Sequence, residues 1–148
     1  MDVNTSRFGT VEVEDDRVIT FRKGLLGFNQ YCRFVVLQPS DDGCFFWLQS
    51  VDAPDLAFVV TDPSLFYPEY RVPIKSDQAE EMGMANIDEA QVFVIVNKRG
   101  EVLTANLQGP LVIHTGTRAG EQLVLSDRRY HTRMKLMDLS ENVSAASA

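Results

Sequence analysis

The chain has 148 residues, 45% of them hydrophobic and 24% charged, which fits one soluble globular domain large enough to bury a core without staples. Its net charge of -7, from 14 basic and 21 acidic residues, argues against a nucleic-acid binder, which needs cationic surface to release counterions. No stretch approaches the roughly 18 apolar residues of a membrane span, and the polar, acidic start "MDVNTSRFGTVEVEDD" lacks the basic-then-apolar pattern of a signal peptide.

In chain order, "RFGTVEVE" alternates, with Val11 and Val13 on one face and Glu12 and Glu14 on the other. Short runs rich in Val, Ile and Phe then predict strands at 17–21, 33–37, 44–49, 56–60, 91–96, 110–114 and 122–125. Turn residues fall between them: Asp15-Asp16, Gly24 to Gly27, "PSDDG" at 39–43, "DAPD" at 52–55, "KRGE" at 98–101 and "GTRAGE" at 116–121. The segment "KSDQAEEMGMANIDEAQ" predicts one short helix, started by Ser76 or Asp77 and ended by Gly83 or Asn86. The expected fold is mainly β: a small antiparallel β-barrel-like domain with an extra sheet layer and one short helix, occupying residues 1–138. Residues 139–148, poor in large apolar side chains, are expected to form a disordered tail.

Runs such as Phe45-Phe46-Trp47-Leu48 and Phe93-Val94-Ile95-Val96 are apolar at consecutive positions, so both faces of those strands must be covered. A closed barrel with an added layer satisfies this, and so does a partner chain lying on an apolar face. Charge is uneven. Residues 1–117 hold nine Lys and Arg against seventeen Asp and Glu, whereas 118–135 hold five against two. The basic stretch "RRYHTRMK" reads as a short solvated strand or helical turn, and the acidic body suits a basic protein partner.

Catalytic and metal patterns are weak. The two histidines, His114 and His131, sit beside no GxSxG elbow, and with Cys32 and Cys44 they form no close ligand pairs, so neither metal nor cofactor is expected. The cysteines are not in a CxxC pair and read as two buried thiols of a reducing cytoplasm. The GxxG in "KGLLG" lies between strands and reads as a tight turn. Two stretches suit recognition. "DPSLFYPEYRVP" sets Phe66, Tyr67 and Tyr70 in a proline-broken loop, and "LTANLQGPLVIHT" sets Asn106 and Gln108 in a polar island ending in Gly109-Pro110. An alternative makes Asn106 and Gln108 the polar groups of a small-ligand or enzyme pocket served by His114.

Five stretches in this order, "ITFRKGLLGF" (19–28), "FFWLQS" (45–50), "LAFVVTDPSLFYPEY" (56–70), "LTANLQGPLVIH" (103–114) and "QLVLSDRRYHTR" (122–133), resemble the flagellar assembly factor FliW family over most of residues 5–136. The family's glycine turn falls on Gly24 and Gly27, its aromatic-proline loop on Phe66, Tyr67, Pro68 and Tyr70, and its polar island on Asn106, Gln108, Gly109 and Pro110. At His114 the family more often has asparagine. The resemblance implies a bacterial cytoplasmic regulator without enzymatic activity. Such a protein binds flagellin and also the RNA-binding translational repressor CsrA, the two partners competing, with no direct nucleic-acid or membrane contact. It is expected to be a monomer when free.

Overall fold

The structure is a computed structural model describing residues 1–38, 43–85 and 87–140. Within the described residues the strands are β1 (Asp2–Thr5), β2 (Gly9–Glu12), β3 (Ile19–Phe21), β4 (Arg33–Leu37), β5 (Phe45–Ser50), β6 (Ala57–Thr61), β7 (Ala90–Arg99), β8 (Val102–Ala105), β9 (Leu111–His114), β10 (Ala119–Gln122) and β11 (Met134–Asp138), with a short α-helix, α1 (Ser76–Glu81). Strands β7-β6-β5-β4-β3-β10-β9 form a ring that closes where β9 pairs with β7. Every pairing in the ring is antiparallel except β3 with β10, which is parallel. Strands β8 and β11 continue the sheet outward from β7, and β1 and β2 form a separate hairpin.

Consecutive apolar residues follow from this architecture. Along β7, Phe93 and Ile95 point into the barrel with Ile19, Phe21, Phe34, Leu48, Val60, Leu111 and Ile113. Their neighbours Val94 and Val96 point outward, against Tyr70, Leu107, Leu125 and Tyr130. A third cluster packs Met82 and Met84, beyond the end of α1, onto Val112 and Leu123. On β5, Phe46 and Leu48 face inward, whereas Trp47 faces out and is covered by Phe8 (ring centroids 6.2 Å) and the Arg7 guanidinium (4.3 Å), both from the turn of the β1–β2 hairpin. The chain therefore covers most of its own outer faces. Each large apolar side chain so buried contributes roughly 1.5–3 kcal/mol.

Loop 22–32 closes one end of the barrel. Leu25 is buried in the interior cluster, Tyr31 packs partly against it, and Phe28 stacks edge-on against Phe58 at 5.3 Å. Gly24 has a φ of +67°, and a Cβ there would lie 2.4 Å from the Asn29 Cα, so only glycine fits.

Several expectations need revision. The strand expected at 122–125 is β10, at Ala119–Gln122, and β1 and β8 were not anticipated. The basic stretch is partly strand, since its last two residues open β11, and it is anchored by Tyr130, 6% exposed. The helix begins one or two residues earlier than expected from Ser76 or Asp77 as its start: Lys75 is the cap, its N–H donating to Gln78 Oε1 at 3.0 Å, with Ser76 and Asp77 already in the first turn. Gly83, at φ +70°, follows the helix end, and Asn86 lies outside the described residues. So do Pro39 to Asp42 of the "PSDDG" turn and residues 141–148 of the expected tail. Leu139 is tied down, its N–H donating to the Glu101 carbonyl at 2.7 Å. Cys32 and Cys44 are free and half-buried, more accessible than the sequence suggests.

Candidate partner-binding site

The polar island is a break in a strand. Strands β8 and β9 both pair antiparallel with β7, and between them Val94 and Ile95 of β7 face five residues, Asn106 to Pro110. The Asn106 N–H keeps contact with β7 through the Ile95 carbonyl at 3.0 Å, and its Oδ1 accepts the N–H groups of Gln108 (3.1 Å) and Gly109 (2.9 Å). The excursion is thereby self-satisfied and drives Leu107, fully buried, into the outer cluster. A Cβ at position 109 would sit 2.9 Å from Asn106 Nδ2. Gln122 bridges from outside, its amide N donating to the Gly109 carbonyl (3.0 Å) and its Oε1 accepting the Leu26 N–H (2.8 Å). Asn106 thus shapes the turn, while the half-exposed Gln108 offers the Leu125 N–H its carbonyl at 2.8 Å.

The aromatic-proline loop begins where Asp62 Oδ1 accepts the Ser64 N–H at 2.9 Å and Pro63 starts a single 3-10 turn. The three aromatics then divide. Phe66 and Tyr67 stay half-exposed, Phe66 leaning on Phe45 (6.0 Å) and the Tyr67 hydroxyl donating to the Lys135 carbonyl on β11. Tyr70, expected on the binding surface, is instead 5% exposed. Its ring meets Tyr130 edge-on at 4.7 Å and its hydroxyl donates to the Leu107 carbonyl at 2.6 Å. Burial, with Tyr130 beside it, pushes the Tyr70 hydroxyl far above its ordinary pKa. The two stretches singled out in the sequence therefore do meet, through Tyr70 and Leu107, and the second of these had no distinguishing signal.

His114 is not near the island. It ends β9, whereas Asn106 and Gln108 lie before the start of that strand, so the expected three-residue pocket is not formed. Its ring is buried and both nitrogens are used: Nδ1 accepts the Thr117 N–H at 2.7 Å, and Nε2 lies 2.7 Å from Glu89 Oε2. Because Nδ1 accepts, the proton belongs on Nε2 and is donated to the carboxylate. Replacing His114 by alanine strands the Thr117 N–H and is expected to cost roughly 1–3 kcal/mol in a urea titration. Asparagine, whose Oδ1 can occupy the Nδ1 position, should recover most of that loss.

A cleft of about 330 Å³ opens between the aromatic loop and the outer face of β7, lined by Asp62, Pro63, Ser64, Val72, Ile74, Ala90 and Val92 among others. Val72 and Val92 are only partly buried and touch both outer clusters, so the seam between those clusters is incompletely filled. Leu65 stands beside it, 59% exposed. The sequence marked the loop but not the cleft, whose other wall comes from residues about twenty positions later. Among the described residues no group of three or more metal-ligating side chains is found.

The FliW protein family matches residues 2–136 of this sequence. The chain belongs to the FliW family. Relatives named flagellar assembly factor FliW include one from Leptospira interrogans, 36% identical over 141 residues that span 93% of this chain and 94% of the relative. Another, from Bdellovibrio bacteriovorus, is 39% identical over 135 residues, covering 90% and 77% of the two chains. A crystal structure of the flagellar assembly factor FliW matches the fold with a TM-score of 0.85 at 31% identity, over 93% of this chain and 97% of that one. The barrel, the outlying strands and the short helix α1 are thus the FliW fold.

Proposed function

We propose that the chain is a non-enzymatic flagellar assembly factor of the bacterial cytoplasm that binds flagellin and, in competition with it, CsrA, relieving repression of flagellin synthesis when flagellin is scarce. The observation that carries this reading is the match to FliW over residues 2–136, seen in both sequence and fold. The surface is compatible with it. Leu65, Phe66 and Tyr67 supply accessible apolar and aromatic area, the kind that dominates binding energy in protein interfaces. The acidic body favours encounter with CsrA, whose RNA-facing surface must be cationic. Tyr70 and Asn106 act indirectly, by holding the loop and the turn in place, and Gln108 remains a candidate contact. The His114 pocket has no comparable support, since its members lie at opposite ends of β9.

Isothermal titration against CsrA and against flagellin, each repeated with the other partner prebound, tests the reading. Stoichiometric binding to both, with mutual loss of affinity, is the expected result; binding to neither would overturn it. Phe66→Glu should weaken at least one complex by about 2 kcal/mol, roughly 30-fold, with the melting temperature nearly unchanged. Unaltered affinity for both partners would remove the loop from the interface.

A further inference from the structure

We propose that the cleft beside β7 is a slot for one extended segment of a partner chain, apolar at its centre with basic residues at its flanks, bound by backbone pairing to β7. This deepens the reading of the chain as a partner-binding module and rests on it. The first support is an unfinished ladder. Strand β6 pairs with β7 only from Val59↔Val96 to Thr61↔Val94, because at Pro63 the chain turns away into the 3-10 turn. Residues Ala90 to Phe93 of β7 therefore have β9 along one edge and, among the described residues, no strand along the other. On that stretch the Val92 carbonyl accepts the amide of the Gln91 side chain at 3.2 Å, a local substitute for a strand partner.

The second support lies in the opposite wall. Residues Arg71 to Ile74 follow the aromatic loop without helix or strand assignment, and among the described residues the amides of Val72 and Ile74 donate to no backbone carbonyl, while Pro73 has none to donate. Backbone without a strand partner thus borders the cleft on both sides, the arrangement that strand addition uses. The unfinished ladder decides the form of the occupant. A cleft of about 330 Å³ has room for a few residues of extended chain, whose backbone can continue the β7 ladder, whereas an α-helix satisfies its own backbone groups and leaves that ladder unpaired.

Side-chain chemistry sets the specificity. Val72, Ile74, Ala90 and Val92 present an apolar floor. Asp62 lines the cleft, and Glu89, whose carboxylate is held 2.7 Å from His114 Nε2, adjoins Ala90 with a side chain 39% exposed. Among the described residues of the lining the one cation is Arg71, whose Nη1 donates to the carbonyls of Pro68 and Tyr70, both at 2.8 Å. Lys or Arg flanking the incoming segment is attracted to Asp62 in the lining and to Glu89 beside it.

The test uses the full chain and three synthetic probes: acetyl-Lys-Val-Thr-Val-Lys-amide, the same peptide with Glu at both ends, and the Lys form N-methylated at its central residue. Amide exchange and chemical shifts are followed by NMR. The Lys peptide is expected to shift Ala90 to Val92 and protect the amides of Val72 and Ile74, binding at least tenfold tighter than the Glu peptide, with N-methylation abolishing the effect. Ser64→Arg, at an exposed position lining the cleft, should weaken the Lys peptide without lowering the melting temperature. Shifts confined to other regions, equal affinity for Lys and Glu peptides, or indifference to N-methylation would each overturn the slot. Those failures are separable from failure of the functional reading, because flagellin and CsrA titrate independently of the peptides.

Discussion

Replacing Tyr70 by alanine is expected to cost roughly 3–5 kcal/mol and to lower the melting temperature by roughly 10–15 °C. The ring is lost from a cluster that joins the aromatic loop, the island and the basic segment, and the Leu107 carbonyl loses its 2.6 Å donor. Tyr70→Phe isolates the second effect and should cost roughly 1–3 kcal/mol. The pH dependence has a definite sign. The folded-state pKa is raised, so stability from the protonated hydroxyl is present below the ordinary value of 10 and is lost as pH rises beyond it toward the folded value. In Tyr70→Phe that part of the alkaline loss should vanish, as measured by urea midpoints at a series of pH values. A wild-type midpoint no more alkali-sensitive than the variant's would contradict the placement of the hydroxyl. Tyr70→Lys, which puts a charge among Val94, Leu107 and Tyr130, is expected to unfold the outer cluster.

Gly24→Ala is expected to destabilise the barrel more than Gly27→Ala. Both glycines have positive φ, +67° and +84°, so each alanine bears a left-handed backbone cost of roughly 1–2 kcal/mol. At position 27 nothing lies within 4 Å of the new methyl, and that cost is the whole effect. At position 24 the methyl would sit 2.4 Å from the Asn29 Cα and 2.7 Å from its carbonyl oxygen, both backbone atoms that cannot swing aside. The 22–32 loop must then lift, uncovering Leu25 and the barrel interior, and a further 1–3 kcal/mol or so is lost. Equal midpoints for the two variants in thermal unfolding would show that the loop is not seated as described.

The legible part of the fold was the part written in apolar periodicity. Phe93-Val94-Ile95-Val96 demanded covering on two faces, and the structure supplies both from one chain. The missed strands carry no such signature. "DVNT" pairs, among the described residues, with its hairpin partner, and "VLTA" is four residues long; "MKLMD", of which the basic stretch marks the first two residues, owes its place to pairing with β8. In the site, sequence found the loop and the island but could not rank three aromatics within five residues. Whether Tyr67 or Tyr70 points inward depends on Leu107 and Tyr130, which arrive from remote positions. The cleft was invisible for a similar reason, since it exists because β6 stops short of the full length of β7.

The parallel seam between β3 and β10 joins Thr20 to Ala119 and Phe21 to Gly120, residues separated by about two-thirds of the chain. Barrel closure is therefore a late event in biosynthesis. While the ribosome is still short of residue 119, β3 has its β4 partner and an open edge on the other side. The closing pairings span long loops and are slow to find, so the nascent protein passes through an interval in which it presents pairing surface that the finished barrel conceals.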